Sequence, residues 1–339
     1  MLFLNLTYSL KNTVNMKKVR ASIIIFSLMI TSAYSQDIGN LIKGAKADAN
    51  YLVEGYVSPV LKSLGYGLNQ GWYNTAKPHK TLGIDITATL SLVTVPTSSQ
   101  TFTVDDSKLS ELQLVSPANH VVPTILGPSN VEPVYAFKNP LITDQIVAPS
   151  GAGLSDQLPI VAVPVPIANV GIGIVKGTEL KIRYLPKLNF NKAHIDMIGF
   201  AIMHDIKQHI PVVKNLPFDL SVLAGFTTFN ASTDFDPGQT GVFKAKATTV
   251  QAIISKKLAI LTLYAAAGYA KSNVSFDAKG NYDIGGGASL TDPVSINAAN
   301  SGGRLTGGFR LKLAILTLHA DYTLQKYPTI STGVGLSIR

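Results

Sequence analysis

The run TLGIDITATLSL, residues 81–92, constrains this chain more than any other stretch. Leu82, Ile84, Ile86, Ala88, Leu90 and Leu92 take every even position; Thr81, Gly83, Asp85, Thr87, Thr89 and Ser91 take every odd one. A period of two over this length specifies a β-strand with one apolar and one polar face. Such a strand reads alike whether its apolar face meets a protein core or hydrocarbon. The fold therefore turns on which solvent that face sees.

The same parity returns downstream. Leu180, Ile182 and Tyr184 oppose Glu179, Lys181 and Arg183; Leu316, Leu318, Ala320 and Tyr322 oppose Thr317, His319, Asp321 and Thr323. Strands are expected near 81–95, 170–176, 178–185, 194–206, 217–229, 246–257, 260–274, 303–313, 316–326 and 328–338. Several approach the roughly 9–11 residues of a tilted membrane strand and exceed the soluble mode of about 5–6. Their polar faces are mostly Thr, Ser and Gly, and charged residues are only 14% of the chain, against roughly 25% in soluble domains. A water-facing coat needs more charge than this. In a bilayer every backbone group must be paired, so the strands must close. The expected fold is all-β: an antiparallel transmembrane β-barrel of about 10–14 strands, with an N-terminal amphipathic helical segment.

The N-terminus supplies the address. Lys17, Lys18 and Arg20 precede the apolar ASIIIFSLMITSAYS, in which Ala33 and Ser35 suit a small-residue cleavage site. Residues 1–35 read as a secretory signal peptide, with Met16 an alternative start. Its apolar part is shorter than the ~20 residues of a spanning helix. Cleavage lowers the formal net charge from +9 to +5, leaving 25 basic residues against 20 acidic ones. No basic run remains, which argues against a nucleic-acid partner. The chain has no cysteine, so neither a disulfide framework nor a thiolate site is available. Outer-membrane localisation follows as the expectation, with membrane lipid as the first partner.

Three parts are expected: the leader, a helical segment with a lead-in turn over 36–80, and a barrel over 81–339. Ile38, Leu41, Ile42, Ala45, Ala49, Leu52, Val53, Tyr56, Val60 and Leu61 recur at helical spacing, with Pro59 a point of kinking. In the barrel part KLAILTLYA (257–265) returns as KLAILTLHA (312–320), a repeated hairpin. Long connections are expected at 96–169, 230–245 and 275–302, alternating with short turns as in membrane barrels. Residues 96–169 hold ten of the eighteen prolines, which argues against a central strand across most of that stretch. They are expected to form a gate for an apolar ligand at the barrel mouth, or else a structural cap or additional strands.

Parity points Asp85, Glu179, Lys181, Arg183, Asp219, Arg310, Lys312, His319 and Asp321 into the lumen. Both signs are present, which suits internal pairing better than an ion pore of one sign. Asn74, Lys77, Pro78 and His79 read as a rigid lead-in turn at the periplasmic rim. HDIKQH brings His204, Asp205 and His209 close in sequence, yet on a strand positions 204 and 209 face opposite ways, so no metal site is expected. GIGIVKG lacks the third glycine and following helix of a dinucleotide fingerprint. No G-x-S-x-G is present, and His319 with Asp321 has no serine beside it; neither catalysis nor a cofactor is expected.

The runs DANYLVEGYVSPVLKSLG (48–65), LNQGWYNTAKPHKTLGIDIT (68–87) and IKQHIPVVKNLPFDLSVLAGF (206–226) resemble a functionally unassigned family of exported Gram-negative outer-membrane proteins. A helical segment ahead of a barrel is also similar in architecture to outer-membrane long-chain fatty-acid transporters. That second resemblance implies binding or passage of small hydrophobic molecules. The alternative is a structural or partner-binding barrel with a plugged lumen. Oligomeric state is not legible from the residues.

Overall fold

The computed structural model describes Leu41 and residues 45–338 apart from 191, 236, 286 and 287. The expected leader lies outside the described residues. Ten strands form the wall: β1 Ile84–Thr94, β2 Ala162–Gly173, β3 Thr178–Phe190, β4 Ala193–Asp205, β5 Asp219–Asp234, β6 Thr240–Leu258, β7 Leu261–Lys279, β8 Val294–Leu313, β9 Leu316–Leu324 and β10 Thr329–Ile338. Each pairs antiparallel with its neighbours in the chain, and β10 closes on β1 with Ile84 opposite Ile338.

Burial answers the question posed by residues 81–92. Ile84, Ile86, Leu90 and Leu92 are exposed, while Asp85, Thr87, Thr89 and Ser91 are buried. The same inversion holds around the wall: Ile182, Phe200, Phe226, Ile254, Phe309 and Leu336 face outward. A continuous apolar coat over a closed sheet, with the polar face inside, is the surface of a membrane-spanning barrel. No described helix is long and apolar enough to cross a membrane.

The connections differ from expectation at one end. The long loop is 95–161, because Ala162–Asn169 pairs with β1. Most of 230–245 and 275–302 is strand: β6, β7 and β8 run 19, 19 and 20 residues. Their upper halves reverse polarity without a slip in register. Along β7 the outward side changes from Leu263, Ala265 and Tyr269 to Lys271, Asn273 and Asp277. The inward side there becomes Val274, Phe276 and Ala278, all buried. Beyond the hydrocarbon layer the outside is water and the inside is packed protein, so the apolar residues change face.

What they pack against is the N-terminal helix α1, Lys46–Leu68, which runs inside the barrel along β8, β7, β2, β1 and β6. It continues through Pro59 without a break. The loop 95–161 folds into a cap of short strands, with Thr101–Thr103 paired to Val121–Pro123 and Leu112–Ser116 joined by Val134–Phe137 and Gln145–Val147. Leu112, Val122, Tyr135 and Ile146 share one apolar core with Leu52, Val53 and Tyr56 of α1. Asp48 fastens the two, accepting from the Ser110 amide at 2.6 Å, the Ser110 hydroxyl at 2.7 Å, and the Glu111 and Leu112 amides at 2.9 Å each. Burial alone would raise this carboxyl, but those hydrogen bonds hold it below the ordinary aspartate range.

The opposite end carries tight turns. The repeated KLAIL motif forms two near-identical hairpins whose turns place Ala259 (φ 53°) and Ala314 (φ 55°) in the left-handed region.

Candidate functional site

The lumen is occupied by the C-terminal half of α1 and the segment 69–79. Two arginines hold this plug. Arg183, on β3, donates to the Leu68 carbonyl at 2.6 Å, to the Gln70 carbonyl and to Thr227 Oγ1 at 3.2 Å. Arg304, on β8, donates to the Asn69 carbonyl at 2.9 Å and to Gln70 Oε1. Both are fully buried, and among the described residues neither reaches a carboxylate in a direct ion pair. Their charge is met by the exposed carbonyls and negative dipole end of α1. Trp72 lies flat under Arg183, 3.4 Å from guanidinium carbon to ring centroid.

Nearer the turn end a second network ties the plug to the wall. His79 Nδ1 is 3.0 Å from Glu179 Oε2, and its Nε2 is 2.9 Å from Ser337 Oγ. Lys181 Nζ donates to Glu179 Oε1 at 2.5 Å, and Lys312 Nζ to Ser337 Oγ at 3.1 Å. Asp85 lies beside them, its Oδ1 4.0 Å from His79 Nε2. The order serine, histidine, acid matches a hydrolytic triad, but Ser337 is 1% exposed and His79 3%. A nucleophile must be reachable by a carbonyl carbon. Here the three side chains instead lock the end of the plug onto β3 and β10.

The remaining inward candidates divide between these clusters. Asp321 accepts from Tyr264 at 2.9 Å, His319 Nε2 is 3.3 Å from Thr89 Oγ1, and Arg310 is buried opposite His319 in the sheet register. Asp219 is half-buried at the turn end of β5. The lead-in turn lies at the tight-turn end of the barrel, inside the wall beside Glu179 and Ser337. Asn74, Pro78 and His79 are buried within the barrel and only Lys77 is exposed, because the segment must thread the lumen to reach β1. Sequence reasoning missed Arg304, Trp72, Gln70 and Asn169. Arg304 was recoverable, since it shares the inward parity of Arg310.

Wall pairing is incomplete in two places. β2 and β3 pair only from Val170–Ile182 to Gly173–Glu179. The Gly173 amide donates to the Gly83 carbonyl and the Val161 carbonyl accepts from Val95, so odd-numbered backbone groups of β2 face β1. Even-numbered ones face β3, and Pro164 and Pro166 have no N–H to offer that edge. Where backbone pairing stops, Arg183 Nε bridges to Asn169 Oδ1 at 2.6 Å. The second gap lies beside β8, which pairs with β9 only from Leu305–Leu324 onward. A cleft of about 510 Å³ opens there, lined by Gly268, Gly303, Leu305 and Leu324 with Arg304 and Lys326.

Residues 16–338 match the model of a family described as a family of unknown function, DUF6588. The chain belongs to that family. No curated protein matches it. Among solved structures it is similar to Ail, the attachment invasion locus protein of Yersinia pestis, at 8% identity and TM-score 0.28, over 76% of this chain and 95% of that one. It is similar to the translocator domain of the autotransporter NalP from Neisseria meningitidis at 9% identity and TM-score 0.30, over 83% and 93%. A third similar structure, the CymD monoaromatic hydrocarbon channel, is 10% identical at TM-score 0.17, over 84% and 98%. Likenesses at these scores add nothing to the architecture described above.

Proposed function

We propose that this DUF6588 member is an outer-membrane barrel that does not conduct ions and binds a small amphiphile, an apolar tail with an anionic head, in the cleft beside β8. The reading rests on where the room is: the lumen is filled by α1 and 69–79, while a groove of ligand size lies on the outer face of the wall beside the end of β9. Its volume of about 510 Å³ falls within the roughly 300–1,000 Å³ of small-molecule sites. Leu305 and Leu324 are exposed along it and suit an alkyl chain. Lys326, exposed at its edge, suits a carboxylate or phosphate. The expected leader and the apolar coat support the outer membrane as the location, with the tight turns toward the periplasm and the cap outside.

The test uses purified full-length barrel and a fluorescent fatty acid. Wild type should bind saturably and show no single-channel steps in a planar bilayer. Gly303→Leu fills the cleft at a position where a Cβ meets only the Gly268 carbonyl, 4.0 Å away, and should abolish binding while the barrel still folds. Lys326→Ala should weaken it. Equal binding by wild type and Gly303→Leu removes the proposal. Absence of both binding and conductance leaves the structural barrel, which the double anchoring of the plug favours.

A further inference from the structure

The motif HDIKQH is not absorbed by the reading above, and the fold does with it what a continuous strand could not. β4 ends at Asp205, and a single turn of 3₁₀-helix, Lys207–His209, folds the chain back. Asp205 Oδ1 accepts from the Lys207 amide at 2.9 Å, and the His209 amide donates to the Ile206 carbonyl at 3.1 Å. Gln208 pins the turn from the other side, its Nε2 2.8 Å from both the Lys176 and the Asp205 carbonyls. As a result His204 and His209 converge. Their Nε2 atoms are 3.0 Å apart, with ring centroids at 5.3 Å and planes 23° apart. Across the β3–β4 pair, Thr178 Oγ1 lies 2.8 Å from His204 Nδ1.

This arrangement has the features of a chelate. The Thr178 hydroxyl on Nδ1 orients the His204 ring, as the outer partners of metal-bound histidines do, and the Nε2 that faces His209 also has Gln208 Nε2 3.4 Å away. Metal–imidazole bonds of ~2.0–2.1 Å spanning an Nε2 separation of 3.0 Å subtend an angle near ~94°. That is close to the cis angle of square-planar and octahedral complexes, the geometries of copper(II) and nickel(II). His204 is half-buried and His209 exposed, so an ion can arrive from solvent and complete its coordination with water.

We propose that His204 and His209 together bind one copper(II) or nickel(II) ion at the turn end of the barrel, fastening the connection 206–218 to β3 and β4. The site is independent of the wall cleft and of the amphiphile reading.

The experiment is a titration of copper(II) chloride into tag-free, detergent-solubilised full-length protein in a non-coordinating buffer, followed by electron paramagnetic resonance. One ion per chain should bind, with nitrogen couplings from two imidazoles. His204→Gln and His209→Gln should each lose at least tenfold in affinity. Thr178→Val, which leaves both ligands in place, should lose roughly 10–100-fold with an unchanged urea unfolding midpoint. Copper should also slow tryptic cleavage after Lys214 in wild type and not in His209→Gln. A wild-type titration that matches His209→Gln, or a copper spectrum without imidazole couplings, overturns the proposal and leaves a direct imidazole–imidazole hydrogen bond.

Discussion

Replacing Arg183 with Met tests how the plug is held. The side chain donates to the Leu68 and Gln70 carbonyls, to Asn169 Oδ1 and to Thr227 Oγ1. Methionine fills much of the volume but orphans the two carbonyls and the amide oxygen, each at about 1–3 kcal/mol when buried. The stack on Trp72 adds about 1–2 kcal/mol to the loss. Against this, a guanidinium no longer has to be stripped of water, which returns several kcal/mol. The net should be about 3 kcal/mol against the docked plug, or roughly 150-fold in the ratio of released to docked forms. Trp72 is the only tryptophan and is 1% exposed, so acrylamide quenching reports directly on the plug. Quenching should rise sharply in Arg183→Met, and brief conductance steps should interrupt a silent wild-type baseline. If Arg183→Met and the double variant with Arg304→Met both quench like wild type and stay silent, the two arginines do not hold the plug.

Other predictions follow from the same geometry. Asp48 is held below its ordinary range by the cap's donors, so its contribution is complete above the unfolded value of ~3.9 and fades as pH falls through the folded one. Proteolysis within 118–158 should therefore accelerate in acid, and Asp48→Asn should be cleaved readily at neutral pH with little further change on acidification. Phe200 faces outward midway along β4, so Phe200→Arg should lower stability in vesicles by about 2–4 kcal/mol, read from urea titration. Asn297→Arg, on the outward face of β8 above the hydrocarbon, should shift it by less than ~0.5 kcal/mol. Ala259→Gly should relieve a left-handed alanine and raise the unfolding midpoint by the equivalent of about 1 kcal/mol.

The barrel was legible because its signal is local. Alternation over residues 81–92 or 316–324 survives in any context, and scarcity of charge chose the solvent for the outer face. Helical spacing from Ala49 to Leu61 also exposed α1, although it could not show that Pro59 would leave the helix unbroken. The upper halves of β6, β7 and β8 were missed for a physical reason: their apolar residues cross faces, from odd to even near Tyr269 on β7 and Gly303 on β8, and from even to odd near Thr248 on β6. A reading that requires constant parity stops there and reports a loop.

The candidate sites were legible only in part. Parity marked Glu179, Arg183 and Arg310 as inward residues, but parity is a property of one strand and says nothing of what lies opposite. His79 meets Glu179 and Ser337 across 100 and 258 positions of chain, and His204 meets His209 only because a turn replaces the strand.

Residue order alone determined a closed sheet with a greasy exterior and a helix ahead of it, since periodicity and composition act within a few residues. Closure of the tenth strand on the first decided the rest: the helix lies within the lumen, the arginines meet its carbonyls, and a groove lies beside β8 where β9 ends. Those are contacts between distant segments, and no local pattern encodes a distance.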